Sequence, residues 1–293
     1  MVQQGGGGQP VYLTTKEVAE LLRVKERKVY DLAAADEIPH RRITGKLLFP
    51  TAEIVAWIEG RPLNASEERP AVLTGSHDPL LDWAVRELGS DLAIMLNGSL
   101  AGLDTFADGK AALAGMHVPG PEGWNISAVE ARNLQGCVLI GWAKRARGVL
   151  LSPELAGKVS RLEDLKGKRI ALRQPGAGAA VLFEKLLAET GLAPGDFELS
   201  EGFARTESEA ATAVAGGEAD AALGIEAMAA PYHLSFLPLI EERFDLLIDR
   251  RSYFTTPVQK LLAFAHSPAF RKKAETMGGY DVTELGGVRW LSP

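Results

Sequence analysis

The chain has 293 residues, 46% of them apolar, enough for two or three domains with real cores. No uninterrupted apolar run approaches the ~20 residues of a membrane span, and the glycine-rich start lacks the charged-then-apolar pattern of a secretory signal, so a cytoplasmic location is expected. The formal net charge is −6, and Cys137 is the only cysteine, which excludes an intrachain disulfide and any cysteine-based zinc or iron–sulfur site. Residues 11–61 hold nine Lys/Arg against eight Asp/Glu, leaving 23 against 30 elsewhere. Only that small N-terminal portion offers a nucleic-acid surface, and an anion bound by the acidic remainder has to be held by local dipoles.

Residues 1–10 read as a flexible tail. Thr14-Thr15-Lys16-Glu17 matches a capping box and Val18, Leu21 and Leu22 give one apolar face, so a helix is predicted from Thr15 to Leu22. Arg23-Val24-Lys25 turns the chain into a second helix, about Glu26 to Ala34, that buries Val29 and Leu32. Two short helices joined this tightly form a helix-turn-helix, whose second helix normally lies in the major groove. Ile38 to Ile43 and Lys46 to Phe49 read as strands of a basic hairpin turning at Thr44-Gly45, and a third helix runs through Ile54, Trp57 and Ile58.

Residues 11–60 resemble the excisionase-type winged helix-turn-helix through Leu13-Thr14-Thr15-Lys16-Glu17-Val18-Ala19, Ile38-Pro39 and Leu48-Phe49-Pro50. The resemblance implies that Lys25, Arg27 and Lys28 face base edges or phosphates of double-stranded DNA, and that Arg41, Arg42 and Lys46 face the backbone beside the wing. The alternative is a protein-binding helical domain with solvated charges. A near-neutral module binds DNA modestly per copy, so a homodimer reading two half-sites is expected. Residues 61–70, polar and proline-flanked, read as a linker.

From Ala71 onward strands alternate with helices, the pattern of a parallel α/β sheet. Ala71 to Leu73 is a short strand, Gly75-Ser76 turns it, and Pro79 sits where a first helical turn accepts proline. Such a turn aims free N–H groups and a hydroxyl at one point, a ready anion site, although Ser76 or Asp78 can instead simply cap the helix. Leu92 to Leu96 followed by Asn97-Gly98-Ser99 and a helix from Leu100 to Asp108 repeats the geometry, placing a second serine at a strand-to-helix turn, where ligands of open α/β sheets bind. Ala112 to Val118 is the next strand, with His117 at its end. Arg173-Gln174-Pro175-Gly176-Ala177-Gly178 is a third cradle, between the strand that ends the stretch 162–172 and a helix from Ala180 to Thr190; its glycines let backbone N–H groups approach a ligand. It is neither a Walker loop nor a dinucleotide fingerprint.

Further strands are predicted at Cys137 to Ala143, leading to Gly148 to Pro153, and at Phe236 to Leu239 and Phe244 to Ile248, with a turn into a strand over Gly217 to Ile225 and helices at Glu207 to Ala215, Val258 to His266 and Pro268 to Thr276. Chain crossings near 142–151 and 234–246 then divide residues 71–293 into two lobes, 71–145 with 236–293 and 146–235, around a hinged cleft.

These residues resemble the periplasmic-binding-protein-like domain found behind helix-turn-helix modules in one-component transcriptional regulators, related to molybdate and tungstate binding proteins. Gly75-Ser76-His77-Asp78, Gly98-Ser99-Leu100-Ala101-Gly102-Leu103, Ala114-Gly115-Met116-His117, Trp124-Asn125, Arg173 to Gly178, Ala219 to Ile225 and Glu241 to Leu246 carry the resemblance. It implies an α/β fold, with the winged helix-turn-helix followed by a two-lobed type II periplasmic-binding-protein-like domain, and a small anion effector, molybdate or tungstate, held by Ser76, His77, Asp78, Ser99, His117, Arg173, Gln174, Gly176 and Gly178. The family's third loop continues Gly-Ser-Gly-Thr-Arg, whereas here it reads Gly176-Ala177-Gly178-Ala179-Ala180. Either fewer contacts hold the anion, or the ligand is larger and less polar.

Two other chemistries compete for the same residues. Arg173 can pair with a carboxylate rather than an anion, and His77, Asp78 and His117 form a donor set suited to zinc or nickel. Ser76 beside His77 offers a nucleophile next to a base, but neighbouring side chains rarely form a working pair. No catalytic residue, metal or resident cofactor is assigned, and the chain is read as non-enzymatic: a sensor joined to a promoter-reading module, or a molybdenum-handling module that binds no DNA. A sensor requires the helix starts to converge and the gap between the lobes not to be plugged by side chains.

Overall fold

In a computed structural model describing residues 12–43, 45–58, 68–89, 91–121 and 123–292, the chain forms two units, 1–68 and 69–293. The predicted tail 1–10, Thr44 of the wing turn and most of the predicted linker lie outside the described residues.

In the first unit, strand β1 (Tyr12–Thr14) leads into helix α1 (Thr15–Leu22) through the capping box: Glu17 N–H donates to Thr14 Oγ1 at 3.4 Å and Thr14 N–H to Glu17 Oε2 at 2.7 Å. Helix α2 (Glu26–Ala34) follows after a left-handed Arg23, and β2 (Arg41–Ile43) and β3 (Lys46–Pro50) form the antiparallel wing, with β3 also pairing β1. Helix α3 (Thr51–Ile58) completes the unit. The first wing strand is shorter than predicted because Ile38 is drawn into the core with Val18, Val29, Phe49 and Ile54.

The second unit is built on a ten-stranded sheet. Its first half holds β4 (Val72–Gly75), α4 (Pro79–Leu88), β5 (Ala93–Leu96), α5 (Ser99–Ala107), β6 (Leu113–Met116), the small hairpin β7 (Pro119–Gly120) and β8 (Gly123–Trp124), and α6 (Ile126–Glu130). The long strand β9 (Cys137–Leu151) then leads to β10 (Arg169–Ala171), α7 (Gly178–Thr190), β11 (Glu198–Leu199), α8 (Glu207–Ala215) and β12 (Ala221–Ile225). The chain returns along β13 (Ser235–Asp249) and ends with α9 (Thr256–Ala265), α10 (Pro268–Met277), β14 (Tyr280–Asp281) and β15 (Val288–Leu291).

The strand order β11-β10-β12-β9-β13-β6-β4-β5 makes β9 and β13 the shared spine. The first half of β9 pairs the end of β13, beside β6, β4 and β5; its second half pairs β12 and the start of β13. Each half has its own apolar core, Leu73, Leu80, Trp142, Phe244 and Leu261 in one and Val149, Leu165, Ile170, Leu182 and Leu223 in the other. Two lobes are thus joined by two continuous 15-residue strands.

That continuity corrects the predicted segmentation. The charged stretches Lys144 to Arg147 and Glu241 to Arg243 look like breaks between apolar strands, but alternate side chains in a strand point to opposite faces, and Arg145, Arg147 and Glu242 are charged residues turned inward. Likewise, within 162–172 only Arg169–Ala171 is strand; Leu162–Leu165 forms a short 3-10 turn.

Gly75 ends β4 at φ 101°, and a Cβ there would lie 2.1 Å from the Gly115 carbonyl oxygen; one on Gly102 would lie 2.2 Å from Gly75 Cα. Only glycine lets α5 press this closely onto the β4 turn, which sets the positions of Ser76 and Ser99.

Candidate functional site

Three strand-to-helix turns meet between the lobes. Ser76 follows β4, Ser99 opens α5 behind Gly98, and Gly178 opens α7 behind Ala177; neither α5 nor α7 has a side-chain cap. Leu100 N–H donates to the Gly176 carbonyl at 3.1 Å, which brings the start of α5 against the loop before α7. Gln174 faces Gly98 there: a Cβ on Gly98 would come within 3.1 Å of Gln174 Nε2.

His117, just beyond β6, is the hub. Its Nε2 lies 2.9 Å from Ser76 Oγ, its Nδ1 lies 2.9 Å from Glu242 Oε2, and its backbone N–H donates to Ser99 Oγ at 3.3 Å. Gly178 packs on the same ring, since a Cβ there would lie 2.9 Å from Nε2. Ser76, Ser99 and His117 are all 0% exposed.

Behind this hub an ion network fills the hinge. Arg145 and Arg147, two residues apart on β9, share a face with Glu242, the cross-strand partner of Arg145 on β13. Arg145 donates to Asp78 Oδ2 at 2.9 Å and to Glu242 Oε1; Arg147 donates to Glu242 Oε1 at 2.7 Å and, two-pronged, to Glu207 at 3.0 Å on each oxygen. Arg173 closes the chain on Glu207 at 2.7 Å. Asp78 is the N-cap of α4, accepting from Leu81 N–H at 2.7 Å, and is also held by Tyr280 and Trp142. His77 Nδ1 accepts from Glu207 N–H at 3.3 Å, a contact from one lobe to the other. Nε of Arg145 and Nε of Arg147 find no hydrogen-bond acceptor among the described residues.

The electrostatics follow from this packing. Burial alone would raise the Glu242 carboxyl, but Arg145 and Arg147 beside it hold it well below the usual range. Glu207 is lowered in the same way by Arg147 and Arg173. Burial pushes both His77 and His117 down, against the pull of Glu207 on the first and Glu242 on the second. Tyr280 is raised well above the ordinary phenol range, first by burial and then by Asp78. Three guanidiniums therefore face three carboxyl groups, with two imidazoles beside them whose protonation burial disfavours.

The nine residues singled out from sequence for the ligand lie at or beside this junction, in different roles. Ser76, Ser99, Gly178 and His117 converge on one point, with Gln174 and Gly176 along the neighbouring loop. Asp78, Arg173 and His77 are engaged by the protein itself, and the carboxylate on Arg173 is buried Glu207. The donor set His77, Asp78 and His117 is dispersed over these separate partners, and no group of three His, Cys, Asp or Glu among the described residues is placed to hold a metal ion. The helix starts converge as expected, but the expectation of an unplugged gap is not met: Arg145, Arg147, Glu207 and Glu242 fill the hinge end, and the α5 and α7 starts pack directly against the opposite lobe. Sequence reasoning missed Arg145, Arg147, Glu207 and Glu242. The available signal was two arginines at strand spacing inside a long apolar stretch, a pattern a buried ion pair produces as readily as a loop.

Ser76, His117 and Glu242 line up as hydroxyl, imidazole and carboxylate, the order of a nucleophile, base and orienting group. Sealed from solvent and anchored to two arginines, they fix hydrogen-bond polarity here. A separate cavity of about 130 Å³ lies between β10 and α7, lined by Ile170, Leu172, Ala179, Phe183 and Leu223. In the first unit Lys25, Arg27, Lys28, Arg41, Arg42 and Lys46 are all exposed, and Arg41 pairs with Glu53 at 2.7 Å.

A two-lobed α/β unit spanned by two long strands, with helix starts meeting between the lobes, defines the class of domains to which this chain belongs. It is a member of the PBP superfamily: that domain model matches residues 84–266, and a helix-turn-helix domain model matches residues 12–62. Among relatives, the chain is 24% identical to YvgK of Bacillus subtilis (strain 168), over 94% of this chain and 96% of that one. It is 34% identical to a Clostridium pasteurianum protein encoded in the 5′ region of a ferredoxin 2Fe-2S gene, over 27% of this chain and 70% of that one. Its fold is similar to the Synechocystis PCC6803 CcmR regulatory domain, solved in complex with 2-PG (TM-score 0.50, 13% identity, 66% of this chain and 93% of that one). It is similar also to the regulatory domain of MetR, a LysR family regulator from N. meningitidis (TM-score 0.50, 13% identity, 72% and 96%). A helix-turn-helix domain is thus fused to a PBP superfamily domain with the fold of LysR-type regulatory domains. No described helix is long and apolar enough to cross a membrane.

Proposed function

We propose that the chain is a ligand-responsive, DNA-binding transcriptional regulator whose second unit senses a small oxyanion at the α5 and α7 starts. The observation that carries this is the meeting of two helix N-termini without side-chain caps beside the Ser76 and Ser99 hydroxyls. Helix N-termini bind anions through N–H groups and the dipole, each charge-assisted bond contributing about 1.5 to 3 kcal/mol, so no unpaired arginine is required once the Gly176 carbonyl leaves Leu100 N–H to the ligand. Because the site is sealed, binding is linked to lobe motion about β9 and β13, which provides the two states a sensor needs. Molybdate and tungstate, named by the sequence resemblance, are the first oxyanions to try.

The first unit reads DNA through the exposed Lys25, Arg27 and Lys28 of the α2 region and through Arg41, Arg42 and Lys46 of the wing, as a homodimer in the cytoplasm. The test is binding of the full chain to its own upstream DNA across a salt series, with and without molybdate, tungstate, sulfate or phosphate. A steep salt dependence and an affinity changed by one oxyanion are expected. A flat salt dependence would leave a ligand-handling module that binds no DNA, and unchanged affinity at saturating oxyanion would reject the effector role. Ser99→Ala is expected to weaken oxyanion binding about tenfold, one hydrogen bond's worth.

A further inference from the structure

Independently of the anion reading above, we propose that the cavity between β10 and α7 is a separate binding site, which takes a neutral molecule built on a single aromatic ring. The cavity measures about 130 Å³. Ile170 of β10, Leu172 just after it and Leu223 of β12 line one side, and Ala179, Ala180 and Phe183 of α7 line the other. Close-packed interiors leave few voids larger than a water molecule, so one of this size is a place for an occupant. A cavity of roughly 150 Å³ lined by the same kinds of residue, Leu, Ile and Phe, stays dry and binds benzene.

The polar groups along these walls are engaged elsewhere. The Ile170 carbonyl accepts from Ser200 N–H at 3.1 Å and the Leu172 carbonyl from Ala204 N–H at 2.9 Å. Arg173 also lines the cavity, but its Nε donates to the Ala204 carbonyl at 3.2 Å, its Nη1 to Glu207 at 2.7 Å and its Nη2 to the Arg205 carbonyl at 3.0 Å. Glu184, the other charged lining residue, is exposed and repels an acid. A buried water needs two to four polar partners, and a charged guest needs a counter-ion, so both are disfavoured here. Ala179 and Ala180 sharpen the point. They stand where the third loop departs from Gly-Ser-Gly-Thr-Arg, so the wall lacks the hydroxyl and the guanidinium which that pattern would bring.

The cavity has a mouth. Leu199 and Phe203 line it and stand 47% and 56% exposed, which marks where it opens to solvent. All of its lining belongs to the lobe of residues 146–235, so a guest enters without motion about β9 and β13. Phe183 on the wall and Phe203 at the mouth offer two rings, and aromatic groups gain from edge or offset contact beyond the area they bury. An aromatic guest therefore uses what an aliphatic one of equal size leaves unused.

The test follows fluorobenzene by fluorine NMR as the full chain is added. Saturable line broadening is expected, reversed by toluene and not by benzoate, the charged molecule of similar size. Ala180→Leu puts a larger side chain on the cavity wall and should weaken fluorobenzene binding at least about tenfold, since a guest sharing that space meets the cost of overpacking. Phe203→Ala changes an exposed residue, which keeps the test open if Ala180→Leu fails to fold, and should weaken binding about threefold, one aromatic contact's worth. Thermal unfolding of each variant shows that it is folded. No saturable binding to the unaltered chain, unchanged affinity in either folded variant, or competition by benzoate equal to that by toluene would overturn the proposal. So would loss of self-association in Phe203→Ala when the unaltered chain binds no fluorobenzene, because the mouth is then an interface between copies of the chain.

Discussion

Arg27, Lys28 and Arg42 in the first unit stand exposed to solvent, while Arg145, Arg147 and Arg173 in the second are buried and matched to Asp78, Glu207 and Glu242. The first group keeps its field available to an outside partner, at a cost of almost nothing in desolvation. The second has its field cancelled within a few ångströms, and each charge depends on its neighbours because desolvation is costly for any that loses its partner. A surface charge can be deleted with a local effect, whereas a charge in the hinge cannot.

The largest test of that difference is Glu242→Ala. It leaves Arg145, Arg147 and His117 turned towards one another with no carboxylate between them, and a loss of about 3 to 5 kcal/mol is expected, as for other broken buried pairs. Urea unfolding followed by the fluorescence of Trp142, which is buried in the same lobe, measures it. A loss below about 1 kcal/mol would mean that the hinge charges behave like surface ones.

The contrast also bears on what sequence could reveal. The capping box at Thr14 and Glu17 and the two Gly-Ser turns are local, written within four residues, and were legible as such. Joining Ser76 to His117 requires the parallel register that sets Gly75 beside Gly115, and joining Arg145 to Glu242 requires the antiparallel register of β9 and β13. Register is decided by which faces are buried across the whole sheet, and no short window contains it. The charged centres of β9 and β13 therefore read as gaps between strands.

Acid offers a gentler probe. Burial lowers both His77 and His117 in the folded chain, so below the ordinary histidine value of 6.5 the unfolded chain binds protons that the folded chain refuses. Stability should hold above neutrality and fall as pH drops from there towards the lowered values, by at most about 1.4 kcal/mol per pH unit for each histidine. Thermal unfolding across pH 5 to 8 checks this, with His77→Gln expected to remove part of the slope. A flat profile would show that the imidazoles are not held neutral. Among the described residues of the first unit no histidine is fully buried, and there Thr14→Ala should cost about 1 kcal/mol through loss of the α1 cap, independent of pH over this range.

The smallest effects separate charges within the exposed set itself. Each cation that neutralises a phosphate releases counterions, so Lys28→Ala and Arg42→Ala should each lower the slope of log affinity against log salt by about 0.9 on DNA. Arg41 is also exposed, but Glu53 already lies 2.7 Å from its guanidinium, in the manner of the hinge arginines. Arg41→Ala uncovers that carboxylate while removing a cation already neutralised, so its slope should change by less than that of Arg42→Ala. Equal slopes for the two variants would show that the Glu53 pair opens when DNA binds, and that even this one surface arginine is free in the sense that Arg145 never is.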